Sequence, residues 1–285
     1  MEVGAVGVVG LGTMGAGIAQ VCVQAGVPVV GREVTEELGE RARGRIGHFL
    51  SRGVDKGRLS EADKDAALSR LRTTTELADL SGCDLVIEAI VEEIEPKRVL
   101  FAELDRIVGP QAVLATNTSA LAVTEIAAAT TRPERVVGMH FFNPAPVLPL
   151  VEVVRTRLSS DEAVEAACAF ARRVGKEPIR CDDTPGFVVN RVLIPLLNDC
   201  VRVLDETGVS PEDLDAAMRH GAGWPIGPCA LVDLIGIDVH VHAAEALWQA
   251  LREPRMAPPP RIVRMAQAGH LGRKTGRGFY AYESP

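Results

Sequence analysis

The opening stretch constrains this chain more than any other. Val6-Gly7-Val8-Val9 is a short apolar run that leads without a break into Gly10-Leu11-Gly12-Thr13-Met14-Gly15. Ile18, Ala19, Val21, Cys22 and Ala25 then recur at helical spacing until Gly26 stops the pattern. The order is strand, glycine turn, helix. Gly10 permits the tight turn, Gly12 lets a pyrophosphate approach the backbone, and Gly15 lets the helix pack closely on the strand. The helix N-terminus presents N–H groups and a partial positive charge to an anion. By itself, a Gly-x-Gly-x-x-Gly turn is also compatible with a βα corner that binds nothing. The next strand, Val27–Val30, runs into Gly31-Arg32-Glu33 and places an acid 18 residues beyond Gly15. A carboxylate there accepts both ribose hydroxyls of NAD and repels the 2′-phosphate of NADP. Together these features point to a dinucleotide. Glu33 favours NAD, while the adjacent Arg32 leaves NADP open.

From Glu36 to Leu71 the pattern predicts a helical hairpin inserted before the sheet resumes. Ile46, Phe49 and Leu50 share a face, Gly53 and Gly57 loosen the turn, and Ser60-Glu61-Ala62-Asp63 resembles a capping box for a second helix. Arg45, Arg52, Lys56 and Arg58 make the hairpin basic. Spacing alone favours a solvated face over a dock for an anionic tail. Asp84–Ala89 reads as a buried strand followed by Val91-Glu92-Glu93, and Pro96 opens a helix carrying Lys97, Val99, Leu100, Leu104 and Ile107. Val113–Ala115 is a further strand leading into Thr116-Asn117-Thr118-Ser119. Two more, Val136–Met139 and Leu150–Val154, flank a Pro-rich loop, with His140 ending the first and Glu152 inside the second.

In an open α/β sheet the ligand crevice lies outside the carboxyl ends of the strands. Glu92, Asn117, Ser119 and His140 all follow apolar strands, so all four can face one crevice. Any one of them is equally a turn or cap residue, Ser119 in particular for a helix near Val123. A carboxylate that reaches a His holds the imidazole in one tautomer and stabilises its protonated form, which is the orienting half of a general-base pair. His140 and Glu152 are the candidates for that pair, set against the commoner case of a structural His at a strand end.

The second half changes character. Asp161–Val174 is an amphipathic helix stopped by Gly175, Pro178–Cys181 is extended, and Asp182–Gly186 marks a domain boundary. Beyond it the pattern is helical throughout, with a long helix over Phe187–Glu206 containing Pro195 and a helix start at Ser210-Pro211. At 285 residues two domains are predicted. The fold class is α/β: a Rossmann-type dinucleotide-binding domain over 1–183 with an inserted helical hairpin, then an all-helical domain over 184–285. Apolar content in the second domain exceeds what it needs to bury alone, which predicts a homodimer. Asn190, near the first turn of the long helix, is either a cap or a side chain aimed at the crevice.

Composition excludes several partners. Hydrophobic residues make up 47% and charged residues 24%, and the formal charge of −7 gives no footprint for nucleic acid or an anionic membrane. No apolar run reaches the ~18 residues of a membrane span. The N-terminus lacks the basic region of a secretory signal. The six cysteines contain no Cys-x-x-Cys pair and read as free thiols of a cytoplasmic protein, and no metal site is expected.

These pieces together resemble the 3-hydroxyacyl-CoA dehydrogenase family, specifically its single-function 3-hydroxybutyryl-CoA members, over essentially the whole chain. The motifs that carry the resemblance are Val8–Gly15, Val86–Glu92, Asn117-Thr118-Ser119, His140-Phe141-Phe142-Asn143-Pro144 and Leu150–Val153. Pro185–Arg191, Gly227-Pro228 ahead of Leu231–Gly236, and Lys274–Tyr280 continue it. The His…Glu block is far more specific than the glycine motif. The resemblance implies reversible oxidation of a short-chain (S)-3-hydroxyacyl-CoA with NAD, as in fatty acid metabolism. It implies His140 as base, Glu152 as its orienting partner, and Ser119 and Asn190 on the substrate's 3-oxygen. Gly10, Gly12, Thr13, Met14, Gly15, Glu33, Glu92, Lys97 and Asn117 fall on the cofactor side, with Glu92 and Lys97 near the nicotinamide. Asn143, Arg52 and Lys56 fall on the substrate side, which overturns the solvated-face reading of the basic hairpin. Three departures stand out: Gly31 replaces a bulkier residue, Glu33 replaces Asp, and Pro149 stands where many relatives have Lys. Two rival readings are the same chemistry on a thioester carried by an acyl carrier protein, and a non-catalytic dinucleotide-binding protein.

Overall fold

Strands buried on both faces read as unbroken apolar runs, and the centre of this sheet is built from them. The computed structural model describes residues 3–283. Two units separate at residue 184: Met1–Thr184 and Pro185–Pro285. The first holds an eight-stranded sheet of Val6–Val9 (β1), Val29–Arg32 (β2), Leu71–Thr74 (β3), Leu85–Glu88 (β4), Val113–Thr116 (β5), Val136–Phe141 (β6), Leu150–Arg155 (β7) and Glu177–Asp182 (β8). Spatial order is β3-β2-β1-β4-β5-β6-β7-β8. The first six strands run parallel, β7 reverses against β6, and β8 is parallel to β7. Strand order switches direction between β1 and β4, so a crevice opens beyond their carboxyl ends. Helices α1 (Thr13–Gln24), α2 (Glu36–Asp55), α3 (Glu61–Ser69), α4 (Ile94–Ile107), α5 (Val123–Ala127) and α6 (Asp161–Arg173) connect the strands.

The Rossmann-type sheet, the inserted α2–α3 hairpin and the capping of α3 follow the sequence reading, with the Ser60 hydroxyl accepting from Asp63 N at 3.0 Å. Three details differ. β2 begins two residues later than the apolar run suggests, because Gly26 turns at φ 81° and Val27 N closes α1 by donating to Cys22 O. The edge strand β3 was not expected, since only Leu71 of its four residues is buried and the rest is polar. Ser119 does not cap α5. Asp183 does so from across the unit, its carboxylate accepting Val123 N at 3.1 Å and Thr124 N at 2.7 Å.

The second unit contains α7 (Val189–Thr207), α8 (Pro211–Gly221), α9 (Pro228–Ile235), α10 (Ile237–Leu251) and α11 (Pro260–Gln267). Leu197, Val201, Val232, Ile237 and Ile262 form one of its apolar clusters. A polar pair is buried beside them. Asn198 Nδ2 donates to the carbonyls of Met256 and Ala257 at 3.1 and 3.3 Å, so its Oδ1 accepts from His240 Nε2 at 2.9 Å. Burial pushes the His240 pKa from 6.5 down to about 4. A folded state that resists protonation loses stability wherever the unfolded chain binds the extra proton. Stability from this group is therefore complete above pH 6.5 and falls as pH drops towards 4. Between pH 7 and pH 5 the expected loss is roughly 2 kcal/mol. Urea titrations of wild type and His240→Gln at both pH values check this, because Gln keeps a donor but does not titrate. The wild type should lose more; equal losses would contradict the assignment.

Candidate active site

The glycine turn is shaped for a dinucleotide. Gly10 sits at φ 85°, and a Cβ there would lie 2.8 Å from the Ala89 carbonyl oxygen. A Cβ on Gly15 would lie 1.7 Å from the Gly10 carbonyl oxygen, so only glycine lets α1 approach β1 this closely. A Cβ on Gly12 would meet nothing within 4 Å, which leaves the backbone open where phosphates come nearest. Thr13 and Met14 open α1, and no side chain caps that end. Glu33 continues from β2, its carboxylate accepting Leu11 N at 2.6 Å and Val34 N at 3.1 Å beside the turn. Arg32 Nε donates instead to Thr75 O at 3.1 Å. The Leu11 side chain occupies the space beside Gly31, where a Cβ would come within 2.8 Å of it. These residues fit NAD.

Arg45 lies where sequence spacing put a solvated cation, but its guanidinium donates to the carbonyls of Leu11 and Gly12 at 2.6 and 2.8 Å. It braces the turn. A direct consequence concerns Gly12→Ala: the apo fold should keep its melting temperature, while NADH affinity, followed by fluorescence, should fall about tenfold as the methyl enters the phosphate approach. Unchanged affinity would contradict the placement of the phosphates.

Next along the crevice is a buried ionic chain. Glu88 ends the fully buried β4, and its side chain is 0% exposed. Lys97, 1% exposed, places its ammonium 2.5 Å from Glu88 Oε1 and 3.3 Å from Glu92 Oε2. The other Glu88 oxygen accepts from Thr116 Oγ1 at 2.7 Å. Glu92 Oε1 accepts from Thr118 Oγ1 at 2.5 Å, Ser119 N at 2.8 Å and Ala120 N at 3.2 Å. Burial opposes ionisation of Glu92, yet the Lys97 charge and the Thr118 and Ser119 donors outweigh it and hold the carboxyl below its usual range. Glu92, Lys97 and Ser119 thus belong to one network. Sequence reading missed Glu88 and Thr116 as members of it. The available signal was an acid inside a wholly apolar strand, which needs a cation nearby.

The third part is the His–Glu pair. β6 extends past Met139 to Phe141, so His140 lies within the strand and faces Glu152 directly across the antiparallel β6–β7 ladder. His140 Nδ1 and Glu152 Oε2 are 2.7 Å apart, with side chains 7% and 0% exposed. A carboxylate accepting from Nδ1–H fixes the tautomer, and Nε2 becomes the basic nitrogen. The Phe142 ring lies 4.5 Å from the imidazole, and Asn117 Oδ1 accepts Phe141 N at 2.9 Å, tying the end of β5 to β6.

Asn143 is exposed just beyond β6. Arg52 stands in the last turn of α2 and Lys56 caps its C-terminus, both exposed. Asn190 is the second residue of α7, in the second unit. Burial pushes the thiols of Cys22 and Cys181 up to about 12. Among the described residues no cluster of metal ligands occurs.

Residues 5–184 match the NAD-binding domain of 3-hydroxyacyl-CoA dehydrogenase, and residues 186–282 match its C-terminal domain. A 3-hydroxybutyryl-CoA dehydrogenase of Mycobacterium tuberculosis is 48% identical over 279 residues, covering 97% of this chain and 98% of the relative. A probable 3-hydroxybutyryl-CoA dehydrogenase of Deinococcus radiodurans is 44% identical over 276 residues, 97% of this chain and 99% of the relative. The crystal structure of (S)-3-hydroxybutyryl-CoA dehydrogenase from Ralstonia eutropha superposes with TM-score 0.95 at 42% identity, over 99% of this chain and 100% of that one.

Proposed function

The chain belongs to the 3-hydroxyacyl-CoA dehydrogenase family, and on that premise we propose that it catalyses the NAD-dependent, reversible oxidation of short-chain (S)-3-hydroxyacyl-CoA, of the 3-hydroxybutyryl-CoA type, to 3-oxoacyl-CoA. The observation that carries the proposal is the buried His140–Glu152 pair at the carboxyl end of the sheet that bears the dinucleotide turn. His140 Nε2 takes the proton of the 3-hydroxyl, and Glu152 stabilises the imidazolium that results. Bound NAD supplies the acceptor for the hydride leaving C3. Ser119 and Asn190 hold the 3-oxygen in line, Asn143 contacts the acyl part, and Arg52 and Lys56 meet the anionic CoA. Support for these substrate roles is the residue-by-residue match to the family motifs. Glu33 takes the ribose hydroxyls, which the engagement of Arg32 with Thr75 favours over a 2′-phosphate.

The helical domain expected over residues 184–285 closes over substrate and forms a homodimer. Exposed Val192, Leu234, Val239 and Trp248 support the dimer. Light scattering giving the mass of a single chain would contradict it. Among the described residues no helix is long and apolar enough to cross a membrane, and the six cysteines are free. A cytoplasmic enzyme accords with both, and fractionation of cells tests it.

The test of function is a parallel assay: NADH and NADPH, each with acetoacetyl-CoA and with the same acyl group on an acyl carrier protein. NADH with the CoA thioester should turn over fastest. Preference for the carrier-protein thioester, a reading the names of the relatives do not favour, would contradict the substrate assignment.

A further inference from the structure

The loop joining β6 to β7 carries Asn143 directly after the His140 strand. Part of its shape is internal, since Val147 N and Leu148 N both reach the Pro144 carbonyl, at 2.9 and 3.0 Å. The rest is imposed by Lys176, between α6 and β8, which no motif singles out. Lys176 is 8% exposed, and its ammonium donates to Ala145 O at 2.6 Å and to Leu148 O at 2.9 Å. Burial pushes its pKa below the ordinary 10.5. A buried ammonium held by carbonyls is a costly way to fill space, and an apolar side chain would pack there at less expense. What the ammonium adds is several donors at one point, which bind both halves of the loop together.

From the other side the loop rests on α1. A Cβ on Gly17 would lie 3.2 Å from Ala145 Cβ and 3.3 Å from Pro146 Cδ, so the loop touches the helix where a side chain would push it away. The same helix begins at the glycine turn. Loop, Lys176 and α1 therefore form one clamp.

We propose that Lys176 is a positioning residue for the acyl thioester, clamping the β6–β7 loop onto α1 so that Asn143 is presented to substrate in one pose. The inference rests on the dehydrogenase reading above. Lys176 touches no reacting atom; it acts through the loop.

The test is steady-state kinetics of wild type, Lys176→Met and Gly17→Val with NADH and acetoacetyl-CoA, alongside NADH affinity and melting temperature. Met keeps the bulk of Lys and removes its donors, and Val at position 17 displaces the loop from the opposite side. In both variants KM for the thioester should rise about tenfold, while kcat stays within about threefold and NADH affinity is unchanged, the pattern of lost substrate binding. A purely structural Lys176 would lower the melting temperature and leave KM alone, which would overturn the proposal. If Lys176→Met fails to fold, Gly17→Val decides, and a wild-type KM there overturns it equally. Failure of the underlying reading looks different: the wild type itself would not turn over.

Discussion

His140→Gln is expected to bind NADH like the wild type and to lose about 10³-fold in turnover. Gln has nearly the reach of His and keeps a donor for Glu152, so the β6–β7 ladder and the carboxylate remain satisfied. What it lacks is a basic nitrogen. Without one, the alcohol proton has nowhere to go as hydride departs, and the buried Glu152 charge no longer has a cation to stabilise in the transition state. The loss should fall on kcat and kcat/KM equally, because the missing interaction is made only in the transition state. Near-native turnover in a folded variant would remove His140 from the mechanism.

Lys97→Met is expected to cost about 3–5 kcal/mol of stability, measured by urea denaturation at pH 7.5, since removing one partner leaves uncompensated buried charge. The ammonium stands between Glu88 Oε1 and Glu92 Oε2, and Lys97 is itself 1% exposed. Taking it away leaves two carboxylates facing each other in a site where Thr116 and Ile90 are the remaining donors to Glu88. The deficit should shrink as pH falls, because protonating either carboxylate relieves the repulsion. A loss under ~1 kcal/mol, the range of exposed pairs, would show that the network carries little. NADH affinity should fall as well, because Glu92 sets the Thr118–Ala120 turn.

Much of this architecture was legible because its determinants are local. Val6–Gly15 announces a strand, a turn and a helix within ten neighbouring residues, and Gly10 and Gly15 each have a steric reason that holds in three dimensions. His140 and Glu152 were legible for another reason. Two apolar strands joined by a short Pro-rich loop pair antiparallel, and that pairing brings residues 140 and 152 opposite each other. Several of the features missed have a partner far away in sequence. Arg45 reaches the turn across 33 residues, and Asp183 caps α5 across 59 and 60 residues. Lys176 holds carbonyls 28 and 31 residues before it. A backbone carbonyl or N–H carries no residue identity, so no pattern of side chains betrays these bonds. The edge strand β3 was missed because its exposed, Thr-rich face lacks the apolar signal of the central strands.

The central claim is that this site removes hydride and a proton from an (S)-3-hydroxyacyl thioester. The most direct measurement is the rate of NADH formation when wild-type protein and NAD meet (S)-3-hydroxybutyryl-CoA or its (R) enantiomer in separate reactions. A fixed base and a fixed cofactor face accept one hand of the substrate, so NADH should form with the (S) compound alone. Formation with neither, or faster formation with the (R) enantiomer, would contradict the account.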